Sequence, residues 1–165
     1  MKQKDKLEYH AVINFVKIYN CKHKRLLHFI RQCQPPFPDT ICRLNNKEIG
    51  IEVAHSYGTG VEAAVRLGNR KMKDFPEKLH QMRRLTHLDV RALGSLNNIL
   101  AGKSSKTYQF SPTWLIVRNA FMLWSLTDYR KHKKQIVIPN VNPFKQIWLL
   151  CDENSIAPQG IMRLQ

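Results

Sequence analysis

Two short stretches, Trp114-Leu115-Ile116-Val117 and Ile147-Trp148-Leu149-Leu150-Cys151, are apolar at every position. A strand with one face in water alternates, so an unbroken apolar run implies a strand covered on both faces. Two such runs predict an α/β fold, a central mixed β-sheet flanked by helices. A chain of 165 residues holds one domain with a proper core and leaves little room for a second. No repeat, low-complexity tract or linker divides it, and residues 1–165 read as a single domain.

The other elements follow from spacing. Tyr9, Val12, Ile13, Val16 and Tyr19 recur on one face of a helix within residues 5–19. A strand over 26–31 ends at Gln34-Pro35-Pro36-Phe37-Pro38, which neither a ladder nor a helix can continue. Two further strands, 39–44 and 48–55, flank Asn45-Asn46, residues that tolerate the left-handed backbone of a tight hairpin. Residues 61–68 read as a helical turn. Phe75-Pro76-Glu77 opens a longer helix with Leu79, Met82, Leu85, Leu88, Leu93, Leu96 and Leu100 inward and Gly94 as a bend or break. A short helix over 126–134 and a last strand near 160–164 complete the order.

Charge narrows the partners. Lys and Arg number 27 against 12 Asp and Glu, a formal charge of +15. Such a surplus repels itself unless a polyanion offsets it, which favours phosphate backbones or anionic membranes. Lys78, Arg83, Arg84 and Arg91 line the outer side of the long helix and Lys106 follows it, as a phosphate-tracking surface would. A solvated helix face has the same pattern. No run approaches the roughly 20 apolar residues of a membrane span, and the basic N-terminus lacks the small-residue cleavage site of a signal peptide. Cys21, Cys33, Cys42 and Cys151 form no CxxC pair, which fits reduced thiols in the cytoplasm. Cys21, His23, His28 and Cys33 are close enough in sequence for zinc, but the strand between them would turn His28 away from a shared site. Tyr108 and Trp124 lie near basic segments, where they could stack on bases. Trp114, Trp148 and Phe144 read as core.

Two of the scarce acids fall at matched positions of the hairpin. If Asn45-Asn46 is a two-residue turn, Leu44 pairs with Lys47, and counting back sets Asp39 opposite Glu52. Opposed residues share a face with Cβ atoms about 5 Å apart, where like charges repel. A divalent cation between them removes that penalty, and hard cations favour carboxylate oxygens. Gly50 and Ala54 flank Glu52 on its own face, small neighbours that leave room for metal, water and phosphate. A turn one residue longer would put the acids on opposite faces instead. Glu8, on the edge of the first helix's apolar face, could point along the core boundary, or simply complement the helix dipole.

Pro38-Asp39, followed by Glu52 in Ile49-Gly50-Ile51-Glu52-Val53-Ala54, resembles the PD-(D/E)XK nuclease superfamily. The order helix, strand, hairpin, helix, strand, helix, strand is similar to its restriction-endonuclease-like fold over roughly Glu8 to Leu150. The resemblance implies that Asp39 and Glu52 bind Mg2+ or Mn2+, with Glu8 matching the first-helix glutamate that some members add. It also implies that the metal activates water for attack on a phosphodiester. The motif lysine belongs two residues after Glu52, where this chain has Ala54. Lys103, Lys106 and His55 are the other cations at hand. His55 faces away from Glu52 by strand parity, and Lys103 is preferred, to orient the water or offset developing charge. By itself Lys103 also reads as a helix-end lysine meeting carbonyls.

The expectation is a divalent-metal-dependent nuclease acting on nucleic acid, DNA before RNA, with Asp39, Glu52 and Lys103 as its catalytic residues. One alternative is a nucleic-acid-binding protein of the same fold that has lost cleavage with its lysine. The other is a basic protein that meets an acidic partner or a membrane surface.

Overall fold

The helix α1 (Gln3–His23) buries Glu8, Ala11, Val12, Phe15 and Tyr19, a spacing that returns to one side at each turn. It packs on a six-stranded sheet of order β1-β2-β3-β4-β5-β6. The computed structural model describes residues 3–58, 87–121, 123–152 and 159–165. The expected helical turn at 61–68 and the helix start at Phe75-Pro76-Glu77 lie outside the described residues.

Strands β1 (Leu27–Gln32), β2 (Thr40–Leu44) and β3 (Lys47–Ser56) form an antiparallel meander. Asn45 and Asn46 both take positive φ, 49° and 66°, as a two-residue turn of the primed type requires. Leu44 therefore pairs with Lys47, and the ladder runs back to Thr40 opposite Ile51. The strand β4 (Thr113–Asn119) joins β3 in parallel, and β5 (Phe144–Cys151) joins β4 in parallel. The last strand, β6 (Gly160–Arg163), closes the sheet antiparallel to β5. All seven residues of β4 are buried, as its unbroken apolar run requires.

Strand parity divides the core. Ile49, Ile51 and Val53 join Trp114, Ile116, Trp148 and Leu150 beneath α1. Ala54, Leu115, Val117, Ile147 and Leu149 face the other way, onto the helix α2 (Leu88–Ser104) through Ala92, Leu93, Leu96 and Leu100. The helix α2 runs through Gly94 without interruption, so there is no break at this glycine. A Cβ there would meet nothing within 4 Å, so Gly94 faces open space. The expected helix over 126–134 is two elements. The helix α3 (Leu126–Lys131) starts in a capping box between Ser125 and Asp128, and a 3-10 turn follows at Lys133–Gln135. Among the described residues no helix is long and apolar enough to cross a membrane.

Candidate active site

Glu52 lies on the α2 side of β3, by the parity that sets Ile51 and Val53 beneath α1. The helix α2 ends over it, and Lys103 in its last turn places Nζ 2.5 Å from Glu52 Oε1. Two residues after Glu52 on the same face of β3, Ala54 is packed into the core against α2. The ammonium thus reaches the carboxylate from a helix instead of from the strand.

Asp39 sits one residue before β2, directly after the last ladder pair, Thr40 with Ile51. Its carboxylate leans across the hairpin, and Oδ2 accepts the Val53 N–H at 2.8 Å. Its own carbonyl accepts the Cys33 N–H at 2.9 Å. Burial, then the charges of Glu52 and Glu8, push the Asp39 carboxyl up to about 7, with the Val53 N–H and Lys103 pulling the other way. Two carboxylates that repel across a hairpin make this one hard to ionise.

Glu8 falls within the buried stripe of α1, not on its edge, at a position where an apolar side chain would ordinarily stand. Burial raises its carboxyl, Lys4 one turn earlier opposes this at 3.2 Å, and the charges of Asp5 and Glu52 raise it further. Burial alone would lower the Lys4 ammonium, but Glu8, with Asp39 and Glu52 beyond it, holds it above its ordinary value. A cleft of about 70 Å³ between Lys4, Glu8, Gln32, Pro35 and Asp39 opens this group to the surface. Three carboxylates, Glu8, Asp39 and Glu52, therefore sense one another, and Lys4 and Lys103 balance them.

Tyr108 belongs to this group although sequence reasoning set it elsewhere. Its ring packs on Phe144 with centroids 5.6 Å apart. Its hydroxyl is buried without a hydrogen bond of good geometry, and burial, then the Glu52 and Asp39 charges, raises the phenol above its usual range. That corrects the base-stacking expectation for Tyr108. The same expectation fails for Trp124, which is buried against Tyr129 and His132.

The space beside Gly50 is also not free for a ligand. A Cβ on Gly50 would lie 2.5 Å from Pro38 Cγ and 2.9 Å from Thr113 Oγ1. The missing side chain lets the Pro38-Asp39 segment approach the sheet.

Arg91 is half-buried in the second turn of α2, and Lys106 is exposed just beyond that helix. Lys78, Arg83 and Arg84 lie outside the described residues. His28 is exposed on β1, while the His23 ring packs on Tyr19 and Trp148, so these two histidines are engaged apart.

Among the described residues no three His, Cys, Asp or Glu side chains stand arranged to hold a metal ion. Mg2+ nevertheless keeps several waters and takes one or two carboxylates. The pair Asp39, which lines the outer cleft, and Glu52 is a donor set of that kind. A scan against protein-family models and searches of curated proteins and of solved structures returned no match.

Proposed function

We propose that this chain is a divalent-metal-dependent nuclease of restriction-endonuclease-like fold that hydrolyses phosphodiester bonds in nucleic acid, DNA before RNA. The observation that carries the reading is the Lys103–Glu52 contact beside Asp39. It supplies, from the end of α2, the cation that Ala54 lacks on the strand. Two neighbouring carboxylates and one ammonium are the groups that metal-assisted phosphoryl transfer needs.

Asp39 and Glu52 would hold Mg2+ or Mn2+, with water at the remaining positions. Bound there, the metal supplies Lewis acidity and lowers the pKa of its water. The residues of the chain do the rest. The Val53 N–H fixes the Asp39 carboxylate across the hairpin. Lys103 orients the attacking water and offsets charge on the phosphoryl oxygens. The +15 charge brings the polyanion to the protein. The four described cysteines are all free, which fits a cytoplasmic protein.

Cleavage of a labelled DNA duplex with Mn2+ tests this reading against Asp39→Ala, Glu52→Ala and Lys103→Ala. Each is expected to lose at least about a hundredfold in rate, the loss typical of removing an electrostatic or acid–base partner. Wild-type activity in all three would remove the assignment. The crowding at Gly50 favours one second reading, a protein of this architecture that binds nucleic acid and does not cut it. For such a protein the three variants would bind as the wild type does, and no form would cleave.

A further inference from the structure

Four cations line one cleft, and a fifth, Lys22 at the C-terminal end of α1, lines another. Arg130 and Lys131 close α3, and Lys133 and Lys134 follow in the 3-10 turn. All four are exposed, and they line an open cleft of about 450 Å³. Arg130 also lines a second cleft of about 280 Å³, with Lys22, Ile18, Thr127 and Gln159. Arg130 is common to both clefts, and with the other four cations it makes the groove basic.

The scaffold under these charges is held in place. Asn97 of α2 accepts the Val137 N–H at 2.9 Å and donates to the Gln135 carbonyl at 3.0 Å, which fixes the segment after the lysines. At the other end Tyr129 is fully buried, with its hydroxyl 3.1 Å from Asn119 Oδ1. Asp128, on the same helix, is engaged in the capping box, accepts from the Ser125 N–H at 2.8 Å and Oγ at 2.6 Å, and also feels the Lys131 charge. Among the described residues no carboxylate forms an ion pair with any of the five cations. Like charges held along these clefts on a fixed turn repel one another, and a polyanion offsets that repulsion.

Lys22 stands about 21 Å along the α1 axis from Glu8, at 1.5 Å per residue. A phosphate held between Lys22 and Arg130 is therefore not the phosphate at the carboxylates.

We propose that this groove binds the sugar-phosphate backbone of nucleic acid at a point separate from the acid centre. The proposal rests on the reading of nucleic acid as the ligand and extends it to a surface that the cleavage chemistry does not use. Arg130, Lys133 and Lys134 contact phosphates without reading bases, so the groove adds affinity and salt dependence, not sequence preference.

The test is fluorescence anisotropy with a labelled DNA duplex of about 20 base pairs, in EDTA, across about 50 to 200 mM salt. For the triple variant Arg130→Gln/Lys133→Gln/Lys134→Gln, the slope of log affinity against log salt is expected to shrink by about 2 to 3. That corresponds to about 0.9 for each phosphate no longer neutralised, with affinity down at least about tenfold at the middle of the range. Lys47→Gln, an exposed charge at the hairpin tip, is expected to leave the slope unchanged, which separates the groove from net charge. A triple variant that is folded by circular dichroism and keeps the wild-type slope overturns the proposal. So does a wild-type protein that binds phosphatidylserine vesicles and not the duplex. Because EDTA silences any hydrolysis, the two readings fail separately. Salt-sensitive binding through the groove without metal-dependent cleavage would remove the nuclease and leave the groove. Cleavage with an unchanged slope in the triple variant would do the reverse.

Discussion

Lys103, in the last turn of α2, and Glu52, in the middle of β3, form an ion pair of 2.5 Å whose side chains keep only 22 % and 9 % of their exposure. Removing one partner of such a pair strands a charge that water can barely reach. Lys103→Met is expected to cost about 2–3 kcal/mol in denaturant unfolding, under the figure for a fully enclosed pair because Lys103 keeps some water. The double variant Lys103→Met/Glu52→Gln should recover most of that loss. A loss in the double variant equal to the sum of those in Lys103→Met and Glu52→Gln alone would show that the two charges are not coupled.

Asp39 makes stability depend on pH in an unusual direction for a carboxylate. Its carboxyl is pushed up to about 7 in the folded protein by burial and by the Glu52 and Glu8 charges, against about 4 when unfolded. Folding thus favours the protonated form. The stabilisation is fully present below about pH 4 and is lost as pH rises through about 7. Thermal melting of the metal-free protein should fall between about pH 4 and pH 7 and level off above it. Asp39→Asn should flatten that fall and melt above the wild type at the higher pH. An unaltered fall in the variant would transfer the titration to Glu8, whose carboxyl is also raised.

The hairpin was legible because its information is local. Asn45-Asn46 fixes the turn, the turn fixes Leu44 opposite Lys47, and strand parity then carries Glu52 to the face that Asp39 approaches. The contact between Lys103 and Glu52 was legible only as a need for some cation, since its geometry depends on where a helix docks 51 residues away. Lys4 and Glu8 were readable as an i,i+4 pair, but how deeply Glu8 is buried depends on the roll of α1 over the sheet. Tyr108 lies in a stretch with no periodicity, and nothing in its neighbours announces that its hydroxyl ends beside two acids. Gly50 misled for a physical reason. A small residue reads as space, and packing filled that space from the adjoining loop.

Tyr108→Phe should leave the fold intact and raise stability by up to about 1 kcal/mol. The ring keeps its contact with Phe144, while the variant no longer buries a hydroxyl that has no partner of good geometry. Chemical denaturation of the two proteins measures the difference. A loss of about 1 kcal/mol instead would mean that the hydroxyl donates to Glu52 in solution.

Gly50→Ala tests how the acid centre is assembled. The added Cβ would stand 2.5 Å from Pro38 Cγ, 2.9 Å from Thr113 Oγ1 and 3.1 Å from Phe110 Cδ1. Gly50 also donates its N–H to the Pro112 carbonyl at 2.9 Å, so the strand cannot simply move away. The segment that must yield is Pro38, and Asp39 follows it. Overpacking of this kind costs about 1–3 kcal/mol, and a shift of Pro38 should also draw the Asp39 carboxylate off the Val53 N–H. The expected result is a less stable protein in which Val53 N–H exchanges with solvent faster by more than the global loss of stability explains. If that amide keeps its protection relative to its neighbours in β3, Pro38 does not govern the position of Asp39, and Gly50 serves only the packing of the sheet against Thr113 and Phe110.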